Sequence, residues 1–382
     1  SLYYIIKGYM KTLRSFWIIG LALSLFVSCC VTDTHQDKDT YFNGDITIIK
    51  AFDKDTLLCP IKIELEDIYT GSVLAYDSLL FFISSKYSDY WIYVFDLSSK
   101  KHIASLCPKG EGPDDFFDCK NSEQFVEEKG ELKLWIRDNN KTARLVNITK
   151  SIKGGITVCD SIVPMDWNKS FVYPATSLFF LKDGYILGQN QCEEQYSKGK
   201  EYIPRKFYLY KDSLENKVEE YKLFNRPVIL QDDKYDVLSG IFYANHSCIS
   251  PDQSKVAIAM QRVAQISILD TKSGKQAGYR MNHTLDYGDI EKNYESSHLY
   301  YMSMAINDKH IFAPYIDRVA LGENNPWETN VLHVFDWDGT PVYKIQLSKK
   351  ISFITLDPKY NILYAQGEDD SIWAYDVSWL SK

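Results

Sequence analysis

The densest chemistry in the chain lies in Gly110-Glu111-Gly112-Pro113-Asp114-Asp115-Phe116, inside the stretch Lys109–Phe117. Gly110 and Gly112 let successive backbone N–H groups turn inward and hold an anion. The carboxylates of Glu111, Asp114 and Asp115 could instead collect a hard cation such as Ca²⁺. The same residues also suit a plain connection, its path set by Gly and Pro, with Phe116 and Phe117 packed beneath it.

A second group could recognise a ligand by stacking. Aromatic and acidic residues interleave over Tyr287–Tyr301 (YGDIEKNYESSHLYY), and Asn324-Asn325-Pro326-Trp327 follows. Rings such as Tyr287, Tyr294 and Trp327, with carboxylates beside them, would hold a sugar or a peptide. Ordinary long loops have the same make-up.

Catalytic signatures are otherwise missing. The sequence contains no GxxxxGK loop, no His-Glu-x-x-His and no Gly-x-Ser-x-Gly elbow. Its seven histidines have no metal-ligand spacing, although a fold that gathers several segments around one axis could still bring ligands together. Asp183, Asn245 and Asp317 are the scattered residues that such an axial metal would draw on. Eight cysteines are present without a Cys-x-x-Cys pair, which argues against a zinc ribbon or a redox motif. Cys107 and Cys119 bracket the glycine-containing loop, so a disulfide across it and two idle buried thiols both remain open.

The N-terminus points to export. Lys11 and Arg14 precede the apolar run Phe16–Val27, then Ser28 and Cys29, which is the order of a secretory signal. The apolar run is too short to span a bilayer comfortably. The Ser-Cys ending resembles a bacterial lipoprotein signal, in which Cys29 would be acylated and hold the protein to a membrane. Phe26 stands where that signal usually carries Leu or Val. The expected organisation is a signal over 1–29, with 1–9 an upstream over-read, a flexible polar tether over 30–44, and a folded domain over 45–382. The net charge is −8, and residues 1–29 carry three basic residues and no acid, so the exported part is more acidic still. That balance argues against a nucleic-acid partner, which needs a basic face.

What must position these residues is a repeated hairpin. Val331–Pro341 (VLHVFDWDGTP) is an apolar strand ending in Asp before a tight turn. Ile92–Lys101, Ile266–Lys275 and Ile372–Val377 repeat it. Copies of one supersecondary unit along a chain predict a repeat architecture, and 28 tyrosines suit strands. We read an all-β, six-bladed β-propeller of four-stranded antiparallel blades, spanning Ser72–Leu106, Ser122–Lys153, Thr176–Phe224, Ser247–Arg280, Tyr301–Leu347 and Ile351–Val377. Asp96, Asp138, Asp212, Asp270, Asp336 and Asp376 would each pin a turn by accepting from backbone N–H groups. Asp45–Ile68 is expected to close the ring, with Ile46–Phe52 beside Ile372–Val377. No sustained helical pattern is visible outside the signal; a short turn around Gln231–Ser239 is conceivable.

Ile249–Met260 with Ile266–Lys275 resembles a TolB-type propeller repeat, with Gln253 where that repeat carries Gly. The signal, together with the Gly110–Phe116 loop, resembles the TolB-like six-bladed propeller lipoproteins of Bacteroidota; Asp114-Asp115 replaces their Gly-Glu. The resemblance implies a propeller on a cell-envelope lipoprotein and no particular activity. The expected function is therefore a non-catalytic envelope protein, outer-membrane-anchored, whose loops bind a protein, peptide or glycan. The competing expectation is a metal-dependent enzyme of lactonase or lyase type, with its site in the central channel.

Overall fold

The computed structural model describes residues 41–67, 69–138, 142–165, 175–190, 205–225, 243–281, 298–319, 327–367 and 369–381. Three short strands come first: β1 (Asp45–Ile49), β2 (Lys54–Leu58) and β3 (Ile61–Ile63). Blade 1 follows with β4 (Ser72–Tyr76), β5 (Leu79–Ile83), β6 (Tyr90–Asp96) and β7 (Lys101–Pro108). Blade 2 has β8 (Lys120–Glu128), β9 (Glu131–Asp138), β10 (Thr142–Asn147), helix α1 (Ile148–Gly154) and β11 (Cys159–Pro164). Blade 3 has β12 (Ala175–Phe180), β13 (Tyr185–Asn190), β14 (Lys206–Lys211) and β15 (Lys217–Lys222). Blade 4 has β16 (Asn245–Ile249), β17 (Lys255–Met260), β18 (Gln265–Asp270) and β19 (Gln276–Met281). Blade 5 starts with β20 (His298–Tyr301) and β21 (Ala305–Ile306), then β22 (His310–Val319), β23 (Thr329–Asp336) and β24 (Pro341–Ile351). Blade 6 has β25 (Phe353–Asp357), β26 (Ile362–Gln366) and β27 (Ile372–Asp376).

Strands such as Leu79–Ile83 (LLFFI) are apolar throughout because both faces of a blade are covered by neighbours. Six apolar clusters fill the six gaps. Phe81 and Leu134 lie between blades 1 and 2, Ala143 and Tyr210 between 2 and 3, and Phe207 and Ile258 between 3 and 4. Ile266 and Phe335 lie between blades 4 and 5, Phe312 and Leu363 between 5 and 6, and Phe95 and Tyr364 between 6 and 1. The last cluster makes the arrangement a ring. Hydrogen bonds reinforce that junction, from Ala75 N to Thr355 Oγ1 (3.2 Å) and from Ser78 N to Asp357 Oδ2 (3.0 Å).

Asp45–Ile68 supplies the closing strand as expected, but not through Ile46–Phe52. β3 pairs antiparallel with β27, Ile63 facing Ile372, and completes blade 6. Ile46–Phe52 does not lie beside Ile372–Val377: β1 adds in parallel to β19 of blade 4, and β2 adds in parallel to β24 of blade 5. Phe42, further upstream, bridges to Phe224 beyond the last strand of blade 3. Residues 41–63 thus form a strap that laces four successive blades. Tyr41–Gly44, assigned by the sequence to the tether, already belong to the ring: Phe42 is buried, and Asn43 N donates to Leu223 O at 3.0 Å. Parallel addition needs no local turn, so nothing in the alternation of Ile46–Phe52 says which blade it joins.

Blade 2 corrects a second expectation, because its outer strand is Cys159–Pro164 and lies beyond the Lys153 limit. Helix α1 intervenes. Asn147 Oδ1 caps its start by accepting from Lys150 N (2.9 Å), and Gly155 at φ 67° ends it. Ile148 and Thr149 are β-branched and continue the strand pattern of β10, which hid the cap. Gln231–Ser239 lies outside the described residues. The anchoring aspartates divide by role: Asp96, Asp270, Asp336 and Asp376 accept from N–H groups of their own turns. Asp138 reaches elsewhere, and Asp212 itself takes a left-handed backbone at φ 62°.

Where the strap crosses blade 5 it covers a histidine. His333 lies between the rings of Phe52 and Tyr315, centroids 4.3 and 4.1 Å away, with its Nδ1 3.0 Å from the Tyr301 hydroxyl. Burial, helped by the charge of Lys344, lowers its pKa from 6.5 to about 3. Between those values the unfolded chain binds a proton that the fold refuses. The contribution to stability is therefore full above pH 6.5 and is lost as pH falls towards 3, at up to ~1.4 kcal/mol per pH unit. His333→Asn, which keeps an acceptor for Tyr301, should flatten the acid limb of stability against pH in urea melts. An unchanged slope would contradict this.

Candidate functional site

Because strands alternate in direction, the first-to-second and third-to-fourth turns of every blade share one end of the ring. The second-to-third loops and the blade-to-blade connections share the other. The loop Lys109–Phe117, joining β7 to β8, and Trp327, ahead of β23, belong to this connector end. Trp327 is exposed. Tyr287 and Tyr294 fall between β19 and β20 and lie outside the described residues, as does Cys29.

The glycine-containing loop is held from within. Asp115 Oδ2 accepts from Gly112 N (3.0 Å) and fills the space over Gly110 and Gly112, where a Cβ would collide with it. Asp115 N donates to Gly112 O (3.2 Å), and Phe116 N to Pro108 O (2.7 Å). The concavity that glycine opens to an anion is thus occupied by the chain's own carboxylate. Beneath it, Phe116 is fully buried, its carbonyl accepts from Trp91 Nε1 (2.8 Å), and the Arg144 guanidinium stands 4.3 Å from its ring centre. Lys109 lies over the Trp91 ring and donates to Tyr87 O. Phe117, expected beneath the loop, is exposed. Glu111 and Asp114 are exposed, and the three acids do not converge on a common point.

Cys107 and Cys119 do meet across this loop, as buried free thiols in the core between blades 1 and 2. Burial, then the hydrogen bond to Cys119, pushes the Cys107 thiol up. They pack there as small apolar groups.

Among the described residues, two cavities lie along the axis. The larger, about 560 Å³, is lined by the innermost strands of blades 1, 2, 4, 5 and 6 and reaches the turn end at Pro251, Lys309 and Pro358. Its lining mixes apolar Leu74, Phe125, Met304 and Leu356 with Tyr76, Glu127, Asp308 and Asn361. Tyr76 donates to Glu127 Oε2 (3.2 Å), and burial together with that carboxylate pushes the phenol up to about 12. The hydroxyl therefore stays a donor at any physiological pH. The smaller cavity, about 220 Å³, lies between blades 2, 3 and 4.

Glu123 lines both cavities; His246 lines the smaller and Cys248 the larger. Cys248 Sγ is 3.4 Å from His246 Nε2 and 3.7 Å from Glu123 Oε2, and His246 Nε2 is 3.6 Å from Glu123 Oε1. His246 and Cys248 are two apart on β16 and so share a face. Glu123 arrives from β8, where the pairing to β9 slips between Asn121 and Phe125 and Glu123 takes φ 54°. Such a bulge re-aims a side chain. Burial pushes the Cys248 thiol up; for His246 burial acts downward, and Cys248 and Glu123 beside it outweigh that and raise it. Sequence reasoning missed these residues. The His-Ser-Cys spacing was the available signal, since alternate positions of a strand face the same way.

The residues suggested for an axial metal do not assemble. Asn245 lines the smaller cavity, Asp183 sits in the turn before β13, and Asp317 pairs with His298 Nδ1 (3.2 Å) in β22. Among the described residues no helix is long and apolar enough to cross a membrane.

Comparison with known proteins agrees with the ring. A search of curated proteins finds no match. Among solved structures, the chain is similar to a member of the DUF4221 family from Bacteroides vulgatus, at 14% identity and a TM-score of 0.51, over 83% of this chain and 95% of that one. It is also similar to a predicted exported protein from Bacteroides fragilis, at 13% identity and a TM-score of 0.50, over 86% of this chain and 98% of the other. At such identities the likeness is one of fold. The family of TolB-like 6-blade propellers matches residues 69–359, from the lead-in to β4 to the first turn of blade 6, and the chain belongs to that family.

Proposed function

We propose that the protein is a non-catalytic propeller of the cell envelope, tethered to a membrane through Cys29, that binds a protein, peptide or glycan segment in its axial cavity. The observation that carries this reading is the cavity itself. About 560 Å³ at the turn end is within the range that ligand sites occupy, and polar side chains such as Tyr76, Gln124, Glu127 and Asn361 share its walls with apolar ones. Glu123, Glu127 and Asp308 outnumber Lys309 there, which favours hydroxyl or ammonium groups over anions. The signal-like N-terminus and the resemblance to envelope lipoproteins support the compartment.

The test is calorimetric titration of the full chain, purified in detergent, with a panel of envelope glycans and peptides. A binding member of the panel should lose about tenfold in affinity or more on Glu127→Gln, since a hydrogen bond to a charged group contributes ~1.5–3 kcal/mol. Trp327→Ala, at the connector end, should change little. Loss with Trp327→Ala alone would move recognition to the other end, and silence across the panel would remove the proposal.

A further inference from the structure

We infer that Glu123, His246 and Cys248 form a binding site for a single Zn²⁺ ion at the neck between the two axial cavities. The donor set is the first reason. A thiolate, an imidazole and a carboxylate suit zinc, whereas Ca²⁺ takes six to eight oxygens, so this is a different ion from the one the glycine-containing loop suggested. The two anionic ligands and neutral imidazole would balance the charge of Zn²⁺, the Cys248 thiol proton and the proton that Cys248 and Glu123 favour on His246 both being released to solvent on binding.

Geometry is the second reason. Bonds of about 2.3 Å to sulfur and about 2.0–2.2 Å to nitrogen and oxygen, at a tetrahedral angle, place sulfur about 3.6 Å from either partner and nitrogen about 3.4 Å from oxygen. The observed separations are 3.4, 3.7 and 3.6 Å. Sulfur and nitrogen thus stand within about 0.2 Å of the spacing a bound ion would impose, and the carboxylate meets them with different oxygens, Oε2 towards sulfur and Oε1 towards nitrogen, so a turn of the carboxylate brings one oxygen onto the ion.

The third reason is how the donors are held. His246 and Cys248 face Ala259 and Ala257 in the β16–β17 ladder, so the backbone of a packed blade sets their spacing. Glu123 is brought over from blade 2 by a bulge with a left-handed residue, a strained conformation that collects at functional sites. An ion there would tie blade 2 to blade 4 across the axis. Three protein ligands leave a fourth position, and Glu123 borders both cavities, so solvent or a ligand group could complete the shell.

The experiment is titration of the reduced full chain, in detergent, with Co²⁺ as a coloured substitute and then with Zn²⁺. One equivalent of Co²⁺ should give tetrahedral bands with a thiolate charge-transfer absorption, which Zn²⁺ abolishes stoichiometrically. Cys248→Ser should remove the charge-transfer absorption; Glu123→Gln and His246→Ala should each weaken Zn²⁺ binding at least about tenfold. Cys59→Ser, an exposed thiol elsewhere, should leave the spectrum intact. Melting of each metal-free variant, compared with metal-free wild type, separates loss of a ligand from loss of fold. Absence of binding by the wild type, or a thiolate band that survives Cys248→Ser, would overturn the assignment. Binding of peptides or glycans plays no part in this readout, so the two proposals fail separately.

Discussion

A chain lacking residues 41–63 should lose its cooperative melt and self-associate. The strap buries Phe42, Ile46 and Ile49 between or against blades, and each such side chain contributes roughly 1.5–3 kcal/mol. Domains as a rule are stable by only about 5–15 kcal/mol, so the loss is on the scale of the whole margin. The backbone consequence is as large. β19, β24 and β27 would each present a bare edge, and bare edges recruit other chains. Size-exclusion chromatography and thermal circular dichroism would detect both effects. Ile46→Ala is the milder form and should cost ~2–5 kcal/mol in urea melts. A monomeric truncated chain that melts like the wild type would mean that the strap decorates the ring without holding it.

Asp138→Ala should cost about 3–5 kcal/mol and open the loop Lys109–Phe117 to protease. Asp138 is buried; its Oδ1 accepts from Phe117 N (2.9 Å) and Asp118 N (3.2 Å), and its Oδ2 pairs with Arg144 at 2.8 Å. Arg144 in turn covers the Phe116 ring. Truncating the acid strands a mostly buried guanidinium and two N–H groups at once, and an unpaired buried charge is the costly case. Asp138→Asn keeps an acceptor for the two N–H groups and should fall between the alanine variant and the wild type. Urea melts give the ordering, and limited proteolysis with mass mapping locates the opening. An alanine variant within ~1 kcal/mol of wild type would show the cluster to be dispensable.

Asp138 also illustrates the limits of local reasoning. From the sequence it is one of six residues in the same place in a repeated hairpin, with a turn to pin. Four of the six do so, because the groups they need lie two to four residues away in their own turns. Asp138 instead meets Arg144 across its blade and the end of the loop entering that blade. The glycine-containing loop shows the same thing from the other side. Its composition suits an anion or a cation, and only the fold reveals that Asp115 is itself the anion over the glycines.

Strands, hairpins and the number of blades were readable from the chain alone, because they depend on alternation, on turn residues and on a repeating unit, all of which act over a few residues. The family resemblance rested on the same local features. Tertiary structure decided which blade each strap strand joins and that Glu123 meets His246 and Cys248 across the axis. Those outcomes turn on parallel pairing without a turn and on a bulge that re-aims one side chain, in contacts separated by more than a hundred residues. No short window of sequence contains both partners of such a contact; closing the ring is what brings them within bonding distance.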